Sequence, residues 1–139
     1  MRTKIRDIMT APPVCLAPAE AVSAAAAAMR DMGIGCVLIQ DDGQLLGILT
    51  DRDITVRVLA EELDPTATRV GAVCSSELVL LDPEDDVADA VALIEQRAIR
   101  RIPVVQDGTP VGVVSLGDLS LETGEPSVLA DVSAAPPNI

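Results

Sequence analysis

The sequence predicts an α+β fold with α/β-like repeats: two β-α-β-β-α motifs packed by pseudo-two-fold symmetry through their sheets. One observation is an internal repeat at a constant shift. Val14 meets Val79, Leu16 meets Leu81, Pro18 meets Pro83, Val22 meets Val87, Ile34 meets Ile99 and Asp42-Gly43 meets Asp107-Gly108, with no gap. A second is that this alignment sets strand on strand, turn on turn and helix start on helix start. The third is compositional: 49% of the 139 residues are hydrophobic, yet none is Phe, Tyr or Trp. Aliphatic side chains must fill the core, which suits thin helix-on-sheet layers. Neither half, at roughly 60 residues, buries enough surface to be comfortably stable alone. Sheets packed across a pseudo-two-fold axis answer that need and leave two related clefts between the halves.

The elements follow in chain order. Ile5–Thr10 is half-apolar and reads as a helical turn ended by Pro12 and Pro13. Val14-Cys15-Leu16 is a short strand. Pro18 opens a helix with Glu20 in its first turn, where a negative charge meets the positive end of the dipole. Val22, Ala25, Met29 and Met32 form its apolar stripe, and the run Ala24–Ala28 keeps it thin. Gly33 terminates it. Cys36–Ile39 is a strand, Gln40-Asp41-Asp42-Gly43 a hairpin turn, and Leu45–Leu49 the partner strand. Thr50-Asp51-Arg52-Asp53 starts a helix continuing through Ile54, Val58 and Leu59. The second half repeats this: strand Leu78–Leu81, a cap and acidic first turn at Asp82-Pro83-Glu84-Asp85, and a helix with Val87, Ala90, Val91 and Ile94. Strand Arg101–Val105, turn Asp107-Gly108, strand Pro110–Val114 and a helix from about Ser115 complete it. The motifs span residues 4–62 and 70–121, joined by a polar connector, 63–69. A loose Ala-, Ser- and Pro-rich tail covers 122–139.

Several functions are disfavoured by composition. The net charge of −12 argues against non-specific nucleic-acid binding, which needs cations for phosphates. No apolar run reaches membrane-spanning length, and no signal peptide is read at the amino terminus. Cys15, Cys36 and Cys74 are widely spaced and read as small buried hydrophobes in a reducing cytoplasm. With no histidine in the chain, the commonest general base and metal ligand is missing. The expectation is therefore no enzyme, no catalytic residue and no metal.

What remains is a doubled element. Ile99-Arg100-Arg101-Ile102-Pro103-Val104-Val105 is followed by Gly112-Val113-Val114-Ser115-Leu116-Gly117-Asp118. Its diluted copy is Ile34–Ile39 followed by Gly47–Asp53. Ser115 lies where a strand gives way to a helix, so its hydroxyl and unpaired backbone N–H groups converge, an arrangement that favours an anion. Asp118, one turn on, can accept from adjacent ribose hydroxyls. Arg101 offers a planar fork to phosphate. Ser-x-x-Asp and Thr-x-x-Asp also read as capping boxes, in which these groups satisfy backbone donors. Both readings stand on spacing.

These segments, with Asp7-Ile8-Met9 and Thr50-Asp51-Arg52-Asp53-Ile54, resemble a tandem pair of CBS domains, a Bateman module. The layout is similar to stand-alone actinobacterial CBS-pair proteins of the hypoxic-response type. The resemblance covers about residues 4–121. It implies a homodimer and clefts for an adenosine compound: AMP, ADP, ATP or S-adenosylmethionine, as ligand rather than required cofactor. Site roles carry over to Arg100, Arg101, Pro103, Ser115 and Asp118 in the second half, and to Thr50 and Asp53 in the first. There Gly35 and Cys36 replace the arginines and Leu38 replaces Pro103. The function implied is a cytoplasmic regulatory sensor, with an unidentified protein partner allowed for. A ligand-free homodimeric scaffold is the alternative, and cysteine-based redox sensing a third reading.

Overall fold

A computed structural model describes residues 3–123, with side chains through 119. The elements run α1 (Ile5–Ile8), β1 (Cys15–Leu16), α2 (Val22–Met32), β2 (Cys36–Asp41), β3 (Gln44–Thr50), α3 (Asp51–Asp53), a π-helix (Ile54–Leu59), α4 (Val70–Val73), α5 (Val87–Arg97), β4 (Arg101–Gln106), β5 (Thr109–Ser115) and α6 (Leu116–Thr123). This is an α+β fold with two small sheets, β1-β2-β3 and β4-β5. The part of the expected tail from residue 124 onward lies outside the described residues.

Packing divides the chain differently from the repeat. One unit holds Pro13–Leu78 with Gly108–Pro110; the other holds the described residues before Pro13 with Val79–Asp107 and the described residues from Val111. The amino-terminal segment therefore packs with the second repeat, and residues 69–75 pack with the first. The backbone shows the same exchange twice. Lys4 bridges Asp86 as Arg69 bridges Ala21, and Thr10 bridges Val113 as Ser75 bridges Ile48. These pairs also stand at the repeat's shift, so the repeat begins near Lys4.

Each unit has its own core. In the first, Val22, Ala25 and Met29 of α2 meet Val37, Ile39 and Leu49 of the sheet, with Val58, Val70 and Val73. In the second, Ile5 joins Leu81, Val87, Ala90, Ile94, Ile102, Val104, Val114 and Leu119. Apolar residues at helical spacing on one side and alternating along strands on the other make these layers.

Both hairpins turn on Asp-Gly with positive φ, 50° and 75° at Asp42-Gly43 and 54° and 82° at Asp107-Gly108. That is the twist-matching two-residue turn, and β2 extends through Asp41 rather than ending at Ile39. Gly33 caps α2 in the left-handed conformation, as expected.

Other expectations are corrected. The long helices begin at Val22 and Val87, not at Pro18 and Pro83. The acidic residues assigned to their first turns close preceding turns instead. Glu20 accepts the Ala17 N–H at 2.7 Å, and Asp85 accepts that of Asp82 at 2.9 Å. The strand expected at Leu78–Leu81 is reduced to one bridge, Leu81 with Val104. The reason is Pro103. In the first repeat the Leu38 N–H donates to Val14 O at 2.9 Å; the equivalent donor would be Pro103, which has none. Met32 leaves the apolar stripe and is 63% exposed, because it sits on the last turn beside Gly33. The helix expected after Thr50 widens into a π-helix from Ile54. The three cysteines are half-buried rather than fully buried.

Candidate functional site at the strand-to-helix junctions

At the end of β5, Ser115 and Asp118 clasp each other through the backbone. The Asp118 N–H donates to Ser115 Oγ at 3.1 Å, and the Ser115 N–H donates to Asp118 Oδ2 at 2.9 Å. This is a capping box closed by a carboxylate, so the capping alternative is realised. It also fixes the rotamer of Asp118, a half-buried residue. Among the described residues no hydrogen bond reaches Oδ1, which leaves acceptor capacity for another partner.

The arginine pair is tied to the same place. The Leu116 N–H donates to Arg100 O at 2.9 Å, joining the residue after Ser115 to the residue before β4. Arg100 is exposed and Arg101, the first residue of β4, is half-buried. The backbone thus brings the Arg100–Arg101 segment to the junction that holds Ser115 and Asp118. Pro103 lies two residues into β4 and is buried; the structure gives it the backbone role described above.

Thr10 is a neighbour that sequence reading missed. Its backbone pairs with Val113 in both directions, at 2.9 and 3.0 Å, and its Oγ1 stands 3.5 Å from Asp118 Oδ2. The signal was present in Thr10 and Ser75, which match at the repeat's shift. The glycines of the motif serve this approach. A Cβ on Gly112 would stand 2.6 Å from Met9 Sδ and 3.0 Å from Thr10 O; one on Gly47 would stand 2.7 Å from both Cys74 Sγ and Ser75 O. Strand and exchanged segment come together only where the side chain is absent.

The first repeat builds the same clasp. Thr50 N–H donates to Asp53 Oδ2 at 2.9 Å and Asp53 N–H to Thr50 Oγ1 at 3.2 Å. The Asp51 N–H reaches Gly35 O at 2.9 Å, as Leu116 reaches Arg100. Thr50 and Asp53 are brought together, then, but no strand arginine flanks them. Arg57 approaches instead, its Nε 3.8 Å from Asp53 Oδ1 and its Nη1 donating to Val73 O at 3.1 Å. Cys74 also lies here. Burial pushes its thiol up from the ordinary range; the Asp53 charge adds to this and Arg57 opposes it. Burial likewise pushes Cys15 up.

Among the described residues, no group of three or more His, Cys, Asp or Glu side chains is placed to hold a metal ion. No described helix is long and apolar enough to cross a membrane.

Comparison with known proteins agrees with this architecture. The family model for the CBS domain matches residues 5–60 and again 70–122. The CBS domain-containing protein YhcV of Bacillus subtilis is 37% identical over 119 residues, covering 86% of this chain and 84% of its own. Hypoxic response protein 1 of Mycobacterium tuberculosis is 34% identical over 133 residues, covering 95% and 93%. A crystal structure of Hypoxic Response Protein I with two coordinated zinc ions superposes with a TM-score of 0.76 at 35% identity, covering 86% of this chain and 98% of that one. One clasp falls within each matched segment: the chain belongs to the CBS-domain family and carries two copies of the domain.

Proposed function

We propose that the protein is a regulatory module whose second junction binds an adenosine compound, one of AMP, ADP, ATP or S-adenosylmethionine. The observation that carries this reading is the Ser115–Asp118 clasp with the arginine pair tied to it through Leu116. Asp118 Oδ1 accepts from the ribose hydroxyls. Arg100 and Arg101 face the phosphates, where charge-assisted bonds to a guanidinium are the strongest kind in reach. The clasp holds the carboxylate in place before the ligand arrives, so little order is lost on binding. In this reading the ligand regulates and is not consumed, no residue is catalytic, and the protein works in the cytoplasm as a homodimer.

Thermal unfolding with AMP, ATP and S-adenosylmethionine tests the reading. A ligand at 100 times its dissociation constant that binds only the folded state stabilises by about 2.7 kcal/mol. Asp118→Ala is expected to remove that shift while the protein still unfolds cooperatively. A shift that survives the substitution overturns the assignment.

The second reading, a ligand-free dimeric scaffold, draws on the exposure of Met32 (63%) and Leu59 (59%). It predicts no response to any nucleotide, but a melting temperature that rises with protein concentration.

A further inference from the structure

The two junctions share a clasp and differ in what faces the carboxylate. In the first, Asp53 Oδ2 holds the Thr50 N–H while Oδ1 faces Arg57 at 3.8 Å. That separation is beyond a hydrogen bond and within ion-pair range. The guanidinium is held by its bond to Val73 O at 3.1 Å. The Asp53 side chain is 15% exposed and that of Arg57 48%, so water weakens the attraction from the arginine side while the carboxylate is largely shielded. In the second junction the position corresponding to Arg57 is Glu122, which has the opposite charge. Gly35 and Cys36, in turn, occupy the places of Arg100 and Arg101. Each junction therefore has its cation from a different element: the helix in the first, the strand in the second.

We propose that Arg57 occupies the ribose side of the first junction, so that the chain takes one nucleoside ligand and takes it at the second. A ribose diol needs a carboxylate oxygen that the clasp leaves open, which at Asp118 is Oδ1. At Asp53 one oxygen is committed to the clasp and the other is turned to a fixed cation. A ligand there must displace Arg57 from Asp53 and leave a charge unpaired, and no strand arginine compensates by binding its phosphate. Arg57 is thus a specificity-determining residue, and it sets the stoichiometry. The inference rests on the proposed nucleoside site at Asp118.

Calorimetric titration with adenosine and with AMP tests it, because adenosine isolates the sugar from the phosphate. The wild type is expected to bind one molecule per chain, Arg57→Gln two, Asp118→Ala none, and Arg57→Gln/Asp118→Ala one. The double variant serves as the control for folding, since ligand bound there requires an intact first junction. One site in both wild type and Arg57→Gln, with none in the double variant, overturns this inference alone. Two sites in the wild type also overturn it. Binding by no protein in the series overturns it together with the nucleoside reading.

Discussion

Thr50, Asp53, Ser115 and Asp118 all act as caps, and the proposal gives a second job to Ser115 and Asp118 alone. As caps, the two clasps are equivalent, with N–H to oxygen distances of 2.9 and 3.2 Å in one and 2.9 and 3.1 Å in the other. Losing a capping hydroxyl costs about 0.5–2 kcal/mol. Thr50→Ala and Ser115→Ala are therefore expected to lower stability in urea by similar amounts in that range. Only Ser115→Ala should also weaken AMP binding, because only its junction has the arginine pair. Equal effects on binding would mean that capping is all the clasp does. Spacing alone left cap and ligand contact as alternatives; the structure shows the cap, and the ligand contact is what the proposal adds. Arg57 was harder to read from sequence. An arginine four residues after an aspartate on a helix is usually a solvated pair of small consequence, and nothing local says that Val73 holds it in place.

At the scale of elements, the repeat is faithful where hydrogen bonds can repeat and fails where they cannot. Pro103 removes one donor, and a strand shrinks to a bridge. Glu20 and Asp85 each close a turn, and both helices start later than their prolines suggest. These outcomes depend on which donor a short acidic side chain reaches, a choice that composition and periodicity do not decide. Periodicity did locate both helices and most of both cores, which depend on burial, and Asp-Gly located both hairpins through its positive φ. The repeat also exposes a difference between its copies. Asp86 precedes α5, where its N–H donates to Asp89 Oδ2 at 3.1 Å and its carboxylate pairs with Lys4 Nζ at 3.0 Å. Its counterpart before α2 is Ala21, bridged to Arg69 as Asp86 is to Lys4. Ala21 has no side-chain acceptor to give. Ala21→Asp should supply the missing cap and a partner for Arg69, raising the unfolding free energy by about 1 kcal/mol. Unchanged or lower stability in urea would show that the backbone equivalence does not extend to the side chains.

Across the whole molecule, the linear repeat and the packing unit are different partitions of the chain. Ile5, fully buried, belongs to the core of the second repeat, and Val70, also fully buried, to that of the first. The aligned strand, turn and helix pairs start at Val14 and Val79, but Lys4 with Arg69, Ile5 with Val70 and Thr10 with Ser75 match at the same shift and mark the exchanged segments. Such a match is short and chemically plain; it gains meaning only when the hydrogen bonds of both copies coincide. The exchange brings Thr10 to a site whose other members lie around residues 100 and 115–118. A nucleotide at that site should therefore perturb positions far apart in sequence together. Backbone amide shifts mapped over the chain during an AMP titration test this most directly. The amides of Thr10, Arg100, Arg101, Ser115 and Leu116 are expected to move along one binding curve, with those of Thr50–Asp53 unaffected. Saturable shifts elsewhere, with Ser115 and Arg100 still, would contradict the account.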